Sequence, residues 1–513
     1  MARYVIGVDV GTTGAKALLV DEQGRVVARA FDAYPLRTPQ PGWAEQDPEE
    51  WYRATVNGIR KLLADSAIRA EHVAAVSFSG QMHGSVFLDP SGQVIRPPLL
   101  WCDVRTAEEV RAINEAVGRD RMIAIAGSPA MEGFTAPKVL WLRRNEPANF
   151  ERLASVLLPK DYVRYRLTGE LATEASDAAG TGMFDIERGE WSQEVLGVLG
   201  LRPEQLPPVL RSVDVAGRLT PQAAEQTGLA TGTPVVAGGA DNACGAVGAG
   251  VVRPGRAHVS IGSSGVVVTF VPKPRRDGSG RVHTFCHSVP GAWYVMGVML
   301  AAGLSLRWVR DELGQVERAA ESLSGVDAYE LLTRQAADSP PGARGLWFLP
   351  YLNGERTPHA DPHARGVWFG LSAAHRRADL IRSVLEGVAF GLRDSLEVFR
   401  EMGIEVAQLR AIGGGGKSPL WRQILADVLG VPIARLNIDE GPAYGAALLA
   451  GTGTGVWGDV AEAADAAVRT VELAEPDPAR TPGYEARYRI FRSLYAALRP
   501  AFREAALLGP GAG

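Results

Sequence analysis

Twice in this chain a strand-like run breaks at a glycine, two hydroxyl residues and a second glycine, and then resumes as another strand-like run. The first copy is VIGVDVGTTGAKALLV at 5–20, turning at Gly11-Thr12-Thr13-Gly14. The second is RAHVSIGSSGVVVTF at 256–270, turning at Gly262-Ser263-Ser264-Gly265. A unit that recurs after about half the chain predicts two related domains, with a boundary near Val252-Arg253-Pro254-Gly255. Length points the same way, because 513 residues exceed the roughly 250–300 that a single core accommodates. Chance similarity of two glycine turns is the plainer alternative.

The flanking sequence supplies strands and helices in alternation. Residues 3–32 hold three apolar runs separated by turns, the second turn ending in Gly24, and predict three consecutive strands. Asp47-Pro48-Glu49-Glu50 combines an N-cap, a proline at the first helical position and an acid, followed by Tyr52, Val56, Ile59 and Leu63 at helical spacing. Strand-like runs at His72–Phe78 and Pro234–Ala237 each feed a glycine turn, the place where α/β folds hold ligands. Leu380, Val384, Val388, Leu392 and Leu396 mark one face of a long buried helix. A strand then ends at Ile412, Gly413–Gly416 follow, and Ser418-Pro419 caps a helix carrying Leu420, Trp421, Ile424 and Val428 up to Gly430. After Val471, an amphipathic run through Phe502 predicts a terminal helix packing on the body. The expected segments are 1–252, 253–475 and a helical tail 476–513.

Composition narrows the partners. With 46% hydrophobic and 22% charged residues, no long disordered tract is expected. A net charge of −4 gives no basic field for nucleic acid or an anionic membrane, so small molecules are the expected partners. Cys102, Cys244 and Cys286 are odd in number and far apart, which indicates neither a disulfide framework nor a zinc site. The N-terminal residues enter a strand pattern without a signal-peptide run, and no stretch approaches the ~20 apolar residues of a membrane span. A cytoplasmic protein is expected.

Four motifs could carry chemistry, each with a structural alternative. Asp9 ends an apolar strand just before Gly11-Thr12-Thr13-Gly14, where backbone N–H groups and hydroxyls can approach phosphate and a carboxylate can hold hydrated Mg²⁺. No Gly-Lys-Ser/Thr completes a Walker pattern, and a hairpin with a structural Asp fits equally. Asp241, in Gly238-Gly239-Ala240-Asp241-Asn242, could accept a proton from an attacking alcohol or simply cap a helix. Gln81, Met82 and His83, between Gly80 and Gly84, offer an amide, a thioether and an imidazole, or core filling. Gly413–Gly416 could lie against a nucleotide or form a flexible turn.

Taken in order, VIGVDVGTTGAKALLV at 5–20, SGQMHG at 79–84, GFTAPKVLWLRRNEP at 133–147, VVAGGADNACGAVG at 235–248 and IGGGG at 412–416 resemble the FGGY family of carbohydrate kinases across nearly the whole chain. LLPKDYVRYRLTG at 157–169 and WFLPYLNGERTP at 347–358 are similar too. The resemblance implies an α/β fold of two actin-like, ribonuclease H-like domains related by duplication, with the active site in the interdomain cleft. It implies transfer of the γ-phosphoryl group of ATP, with Mg²⁺, to a small ketose. Asp241 would be the general base and Asp9 would organise Mg²⁺, with Asp241 also near the metal through water. Gly11, Thr12, Thr13 and Lys16 would line the phosphates from one domain, and Gly262, Ser263 and Ser264 from the other. Gly414, Gly415 and Lys417 would lie beside the adenosine. Gln81, Met82, His83, Trp101, Asp103 and Asn242 would contact the sugar, and the Gln-Met-His stretch favours D-xylulose, giving D-xylulose 5-phosphate. The sequence departs from the family pattern at Cys102, where Asn is common, and at Ala240, where Gly is frequent. A kinase for ribulose, glycerol or gluconate, and an actin-like ATPase, remain the alternatives, and a homodimer is left open.

Overall fold

A computed structural model describes residues 3–508. Residues 1–2 and 509–513, the outer ends of the first and last expected segments, lie outside the described residues. The chain divides into two compact units that interleave in sequence. One takes the chain up to Arg253, Phe270–Tyr294 and Glu440–Arg469; the other takes Pro254–Thr269, Val295–Asp439 and the chain from Thr470 onward.

In the first unit, β1 (Tyr4–Val10), β2 (Gly14–Asp21) and β3 (Val26–Ala33) form the expected meander, because apolar residues alternate or run continuously between turns that glycine closes. With β4 (Val73–Gly80), β5 (Val215–Arg218) and β6 (Pro234–Ala240) they make one sheet in the order β5-β6-β4-β1-β2-β3. β1 pairs with β2 antiparallel and with β4 parallel, and β4 pairs with β6 parallel. The C-terminal ends of β1, β4 and β6 therefore lie side by side, with Ser79 opposite both Asp9 and Gly239.

Helices cover this sheet. The helix Pro48–Ser66 starts as expected, with Asp47 accepting from the Glu49 amide at 3.0 Å, and buries Trp51, Ile59 and Leu62. The helix Pro442–Gly453 is apolar on nearly every side and buries Ala443, Ala446, Ala447 and Leu448 to lie against β1 and β4.

In the second unit the same plan recurs. β7 (Gly255–Ile261), β8 (Gly265–Val271), β9 (Trp293–Met299), β10 (Val406–Ile412), β11 (Ile433–Leu436) and β12 (Thr470–Ala474) run in the order β9-β8-β7-β10-β11-β12. Read from the other edge, the first sheet has the matching order β3-β2-β1-β4-β6-β5. The senses match as well: β7 is antiparallel to β8 and parallel to β10, β10 is parallel to β11, and β12 closes the edge antiparallel to β11. Duplication is thus visible in topology as well as in the two glycine-hydroxyl turns. The turns themselves differ by one residue, since Val10 pairs with Ala15 whereas Ile261 pairs with Gly265.

The helix Arg377–Glu401 carries the anticipated buried face at Val384, Val388, Leu392 and Leu396, with Leu380 only partly buried in the first turn, and packs against the helix Pro419–Leu429. The terminal helix Thr481–Leu508 packs on the same unit. Its Tyr484, Tyr488 and Tyr495 hydroxyls donate to Glu386 (2.7 Å), Asp394 (2.6 Å) and Asp361 (2.8 Å). These buried acids key the tail to the body by hydrogen bonds as well as by apolar packing.

Candidate active site

The strand ends of the first unit gather its acids. Asp9, the penultimate residue of β1, has Oδ1 buried without a hydrogen-bond partner in the protein. Burial pushes its carboxyl up to about 6, opposed by Ser79 and by the Lys16 ammonium. Asp241 opens the helix Asp241–Gly248, directly after β6, with Ala240 rather than Asp241 at the N-cap. Burial, and then the charge of Asp9, push Asp241 up to about 7, while the backbone and side-chain N–H groups of Asn242 pull it down. Those two donors meet Asp241 Oδ1 at 2.6 and 2.9 Å. Two like charges close enough to sense one another in a dry setting suit a cation or a transferable proton better than a fold-stabilising role.

A bulge aims Asp241. Along β6, Val236 pairs with Ser77 and Gly239 with Ser79, so Ala237 and Gly238 together face Phe78. Gly238 has φ +80°, and a Cβ there would run into the Phe78 carbonyl oxygen.

Met82, His83 and Asn242 come together. Asn242 Nδ2 lies 3.5 Å from Met82 Sδ, which the buried Tyr294 hydroxyl approaches at 3.8 Å. His83 takes a left-handed backbone (φ 68°) and its ring stacks on Phe134 at 4.3 Å, with Nδ1 2.5 Å from the Gly180 carbonyl oxygen. Thr135 and the fully buried Lys138 donate to the His83 carbonyl at 3.1 and 2.8 Å. Burial pushes the Lys138 ammonium down to about 7.

Gln81 and Asp103 have their polar atoms engaged by protein. Gln81 is buried; it accepts from Thr12 Oγ1 at 3.1 Å and donates to the Gly11 carbonyl and Gln46 Oε1. Asp103 is wholly buried, accepting from the Ala44 amide at 2.7 Å and from Arg105, whose guanidinium lies on Trp43. Trp101, about half exposed, donates from its indole to Thr12 Oγ1 at 2.9 Å. Thr12 and Gly11 therefore belong to one network with Gln81, Gln46 and Trp101. Thr13 is exposed at the same turn, and Lys16 pairs with Glu440 at 2.6 Å.

In the second unit Gly262, Ser263 and Ser264 are exposed at the β7–β8 turn, and the chain after β9 is tied to them by Ala302, Gly303 and Leu304 amides donating to Gly262 and Ser263 carbonyls. The glycine run forms a short 3₁₀ turn, 414–417, in which Gly414 is exposed and Gly415 leaves no room for a side chain against Ile261. Lys417 is largely exposed, 3.8 Å from Asp439.

Sequence reasoning assigned no role to a wholly buried ionic group in the first unit: Lys160, Asp161, Arg164, Glu174 and Asp177. Part of it lies in the stretch 157–169, which entered the sequence reading only through its resemblance to the family.

Comparisons with known proteins agree with the duplicated fold. The N-terminal domain of the FGGY family of carbohydrate kinases matches residues 4–248, and the family's C-terminal domain matches residues 257–454. The chain is 41% identical to a xylulose kinase of Bacillus subtilis over 493 residues, covering 96% of this chain and 97% of that one. It is 41% identical to a xylulose kinase of Escherichia coli over 509 residues, covering 96% and 99%. The solved xylulose kinase of Rhodospirillum rubrum superimposes with a TM-score of 0.89 at 34% identity, covering 98% of this chain and 100% of that one. The duplicated mixed sheets, the paired acids and these matches have one reading: the chain belongs to the FGGY family of carbohydrate kinases.

Proposed function

We propose that this protein phosphorylates D-xylulose with ATP, giving D-xylulose 5-phosphate. The observation that carries the reading is the pair Asp9 and Asp241, two buried acids at the ends of the strands that flank β4, the charge of Asp9 adding to burial in raising the proton affinity of Asp241, with Asn242 beside the second of them and Met82, followed by His83, against Asn242. The similarity to xylulose kinases over nearly the whole chain supports the choice of sugar.

Asp241 is the base. Its carboxyl, held near 7 by burial, binds a proton about as readily as it releases one at neutral pH, which suits it to take the proton of the sugar hydroxyl as that oxygen attacks phosphorus. Asn242 fixes one oxygen of Asp241 by two hydrogen bonds and leaves the other for the hydroxyl. Met82 offers an apolar wall, and His83, pinned by Phe134, Lys138 and Thr135, presents its ring in one orientation to the sugar. Gly11, Thr12 and Thr13 line the phosphates with N–H groups and hydroxyls, and Gln81 and Trp101 hold Thr12 in place. The exposed Gly262-Ser263-Ser264 turn and the Gly414, Gly415 and Lys417 segment carry the corresponding phosphate and adenosine roles in the second unit.

The residues fit Mg²⁺. Asp9 Oδ1 is a hard oxygen without a protein partner, and among the described residues no group of three or more His, Cys, Asp or Glu could hold a metal unaided. One or two carboxylates completed by phosphate oxygens and water is the usual magnesium arrangement. Bound there by Asp9, with Asp241 through water, the ion would neutralise charge that spreads over the transferring phosphoryl group.

Among the described residues no helix is long and apolar enough to cross a membrane. The three cysteines are free, in keeping with a cytoplasmic enzyme.

Replacing Asp241 by Asn keeps its shape and removes the base. Turnover with saturating D-xylulose should fall by at least ~10²-fold while ATP binding stays within about twofold. Near-normal turnover by the folded variant would reject the assignment.

A further inference from the structure

The buried ionic group that the mechanism leaves unused lies behind the β6 bulge, and it connects to the bulge at several points. Glu174 is wholly buried and accepts from four donors other than lysine: the amides of Ser176 and Asp177, both at 2.8 Å, the Ser176 hydroxyl at 2.8–2.9 Å, and the Ser212 hydroxyl at 2.9 Å. The two serines in turn hold β6. Ser176 Oγ accepts from the Ala240 amide at 3.0 Å, and the Ser212 carbonyl accepts from the Gly238 amide at 3.0 Å. Arg164 donates to the Ala237 carbonyl at 3.3 Å.

Lys160 supplies the counter-charge, 2.7 Å from Asp161, 2.9 Å from Asp177 and 3.5 Å from Glu174. Its Cβ also lies so close to Gly80 that a side chain on Gly80 would press against it, so the lysine abuts the start of the 80–84 loop as well. A buried carboxylate is tolerated when it is paired and hydrogen-bonded, as both oxygens of Glu174 are, and a group held by that many donors has few alternative arrangements.

The bulge makes this group relevant to chemistry. Amides of Ala237 and Gly238 sit where the β4–β6 ladder is interrupted, and these two and the Ala240 amide just beyond it take partners away from β4. Two of the three find them on residues that Glu174 holds. The next residue after Ala240 is Asp241.

We propose that Glu174 is a positioning residue: set beside Lys160, it clasps the β6 bulge through Ser176 and Ser212 and thereby sets where the Asp241 carboxylate points. This rests on the reading of Asp241 as base. Displacing a reacting group by a fraction of an ångström costs turnover without costing ligand binding.

The test is a double-mutant cycle between Ser176→Ala and Asp241→Ala in the full chain, read as kcat, KM and ligand Kd with D-xylulose and Mg·ATP. Ser176→Ala alone should lower kcat about tenfold, with Kd for sugar and ATP within about twofold, and should have no further effect in the Asp241→Ala background. Glu174→Gln, which keeps the shape and one accepting oxygen, serves the same cycle if Ser176→Ala does not fold. A lower melting temperature with unchanged kcat per folded molecule overturns the proposal, as does an equal loss in both backgrounds. Full turnover by Asp241→Ala would sink the base assignment and this inference together; loss in Asp241→Ala but not in Ser176→Ala sinks this inference alone.

Discussion

Replacing Gln81 by Leu separates two roles that the SGQMHG stretch could have. The side chain makes three hydrogen bonds, to Thr12 Oγ1, the Gly11 carbonyl and Gln46 Oε1. The Gly11 carbonyl and Gln46 Oε1 each keep a second donor after the substitution, Tyr34 at 2.6 Å and Trp51 at 2.9 Å, while Thr12, which loses its acceptor, keeps the Trp101 indole as a donor at 2.9 Å and is exposed enough for its hydroxyl to turn to water. No buried group is stranded, so the cost is three net hydrogen bonds at the low end of their range, about 2 kcal/mol in all. All of it falls on the turn that carries Gly11 and Thr12. If that energy holds the turn in its phosphate-binding shape, the ceiling on the loss of ATP affinity is ~30-fold, because 1.4 kcal/mol is a factor of ten. We expect the Kd for Mg·ATP to rise about tenfold, with KM for D-xylulose within about twofold. Isothermal titration with a non-hydrolysable ATP analogue and initial rates at saturating ATP measure the two quantities separately. A raised sugar KM with unchanged nucleotide affinity would refute the reasoning and put Gln81 on the sugar.

Two further variants test the packing that supports the site. Gly238→Ala forces a Cβ into the Phe78 carbonyl at a left-handed φ of +80°, so we expect soluble yield and melting temperature to fall steeply; wild-type stability would show that the bulge is not rigid. Tyr488→Phe removes the hydroxyl 2.6 Å from Asp394, whose carboxyl burial pushes up to about 7. Because the folded state holds that proton more tightly than the unfolded one, stability from this group is present below about pH 4 and is lost as pH rises toward 7. Losing the tyrosine raises the affinity for the proton further, so the destabilisation, roughly 1–3 kcal/mol, should be larger at pH 8 than at pH 5 in urea unfolding. An equal shift at both pH values would contradict this.

The parts of the fold carried by local pattern were legible. The β1–β2 turn, the Asp47 cap, the buried face of Arg377–Glu401 and the Gly430 stop all rest on periodicity or on a residue's own backbone preference, and they stand where the spacing put them. What was not legible depends on residues far apart in sequence. Lys160, Asp161 and Arg164 look like the wet side of a helix, and only the approach of Glu174, Ser212 and β6 makes them interior. For the same reason Gln81, an amide in a glycine-flanked loop, read as a sugar contact, whereas Gln46 and Thr12, reached from other segments, engage it. The helix Pro442–Gly453 read as nothing in particular, yet it covers the strands that carry Asp9 and Ser79.

Everything in the proposed chemistry turns on the acceptor. ADP release measured with Mg·ATP against D-xylulose, L-xylulose, D-ribulose, L-ribulose, glycerol and gluconate tests it most directly. Sugar-dependent release with the highest kcat/KM for D-xylulose is the expected result. A higher kcat/KM for any other acceptor, or hydrolysis that no sugar stimulates, would contradict it.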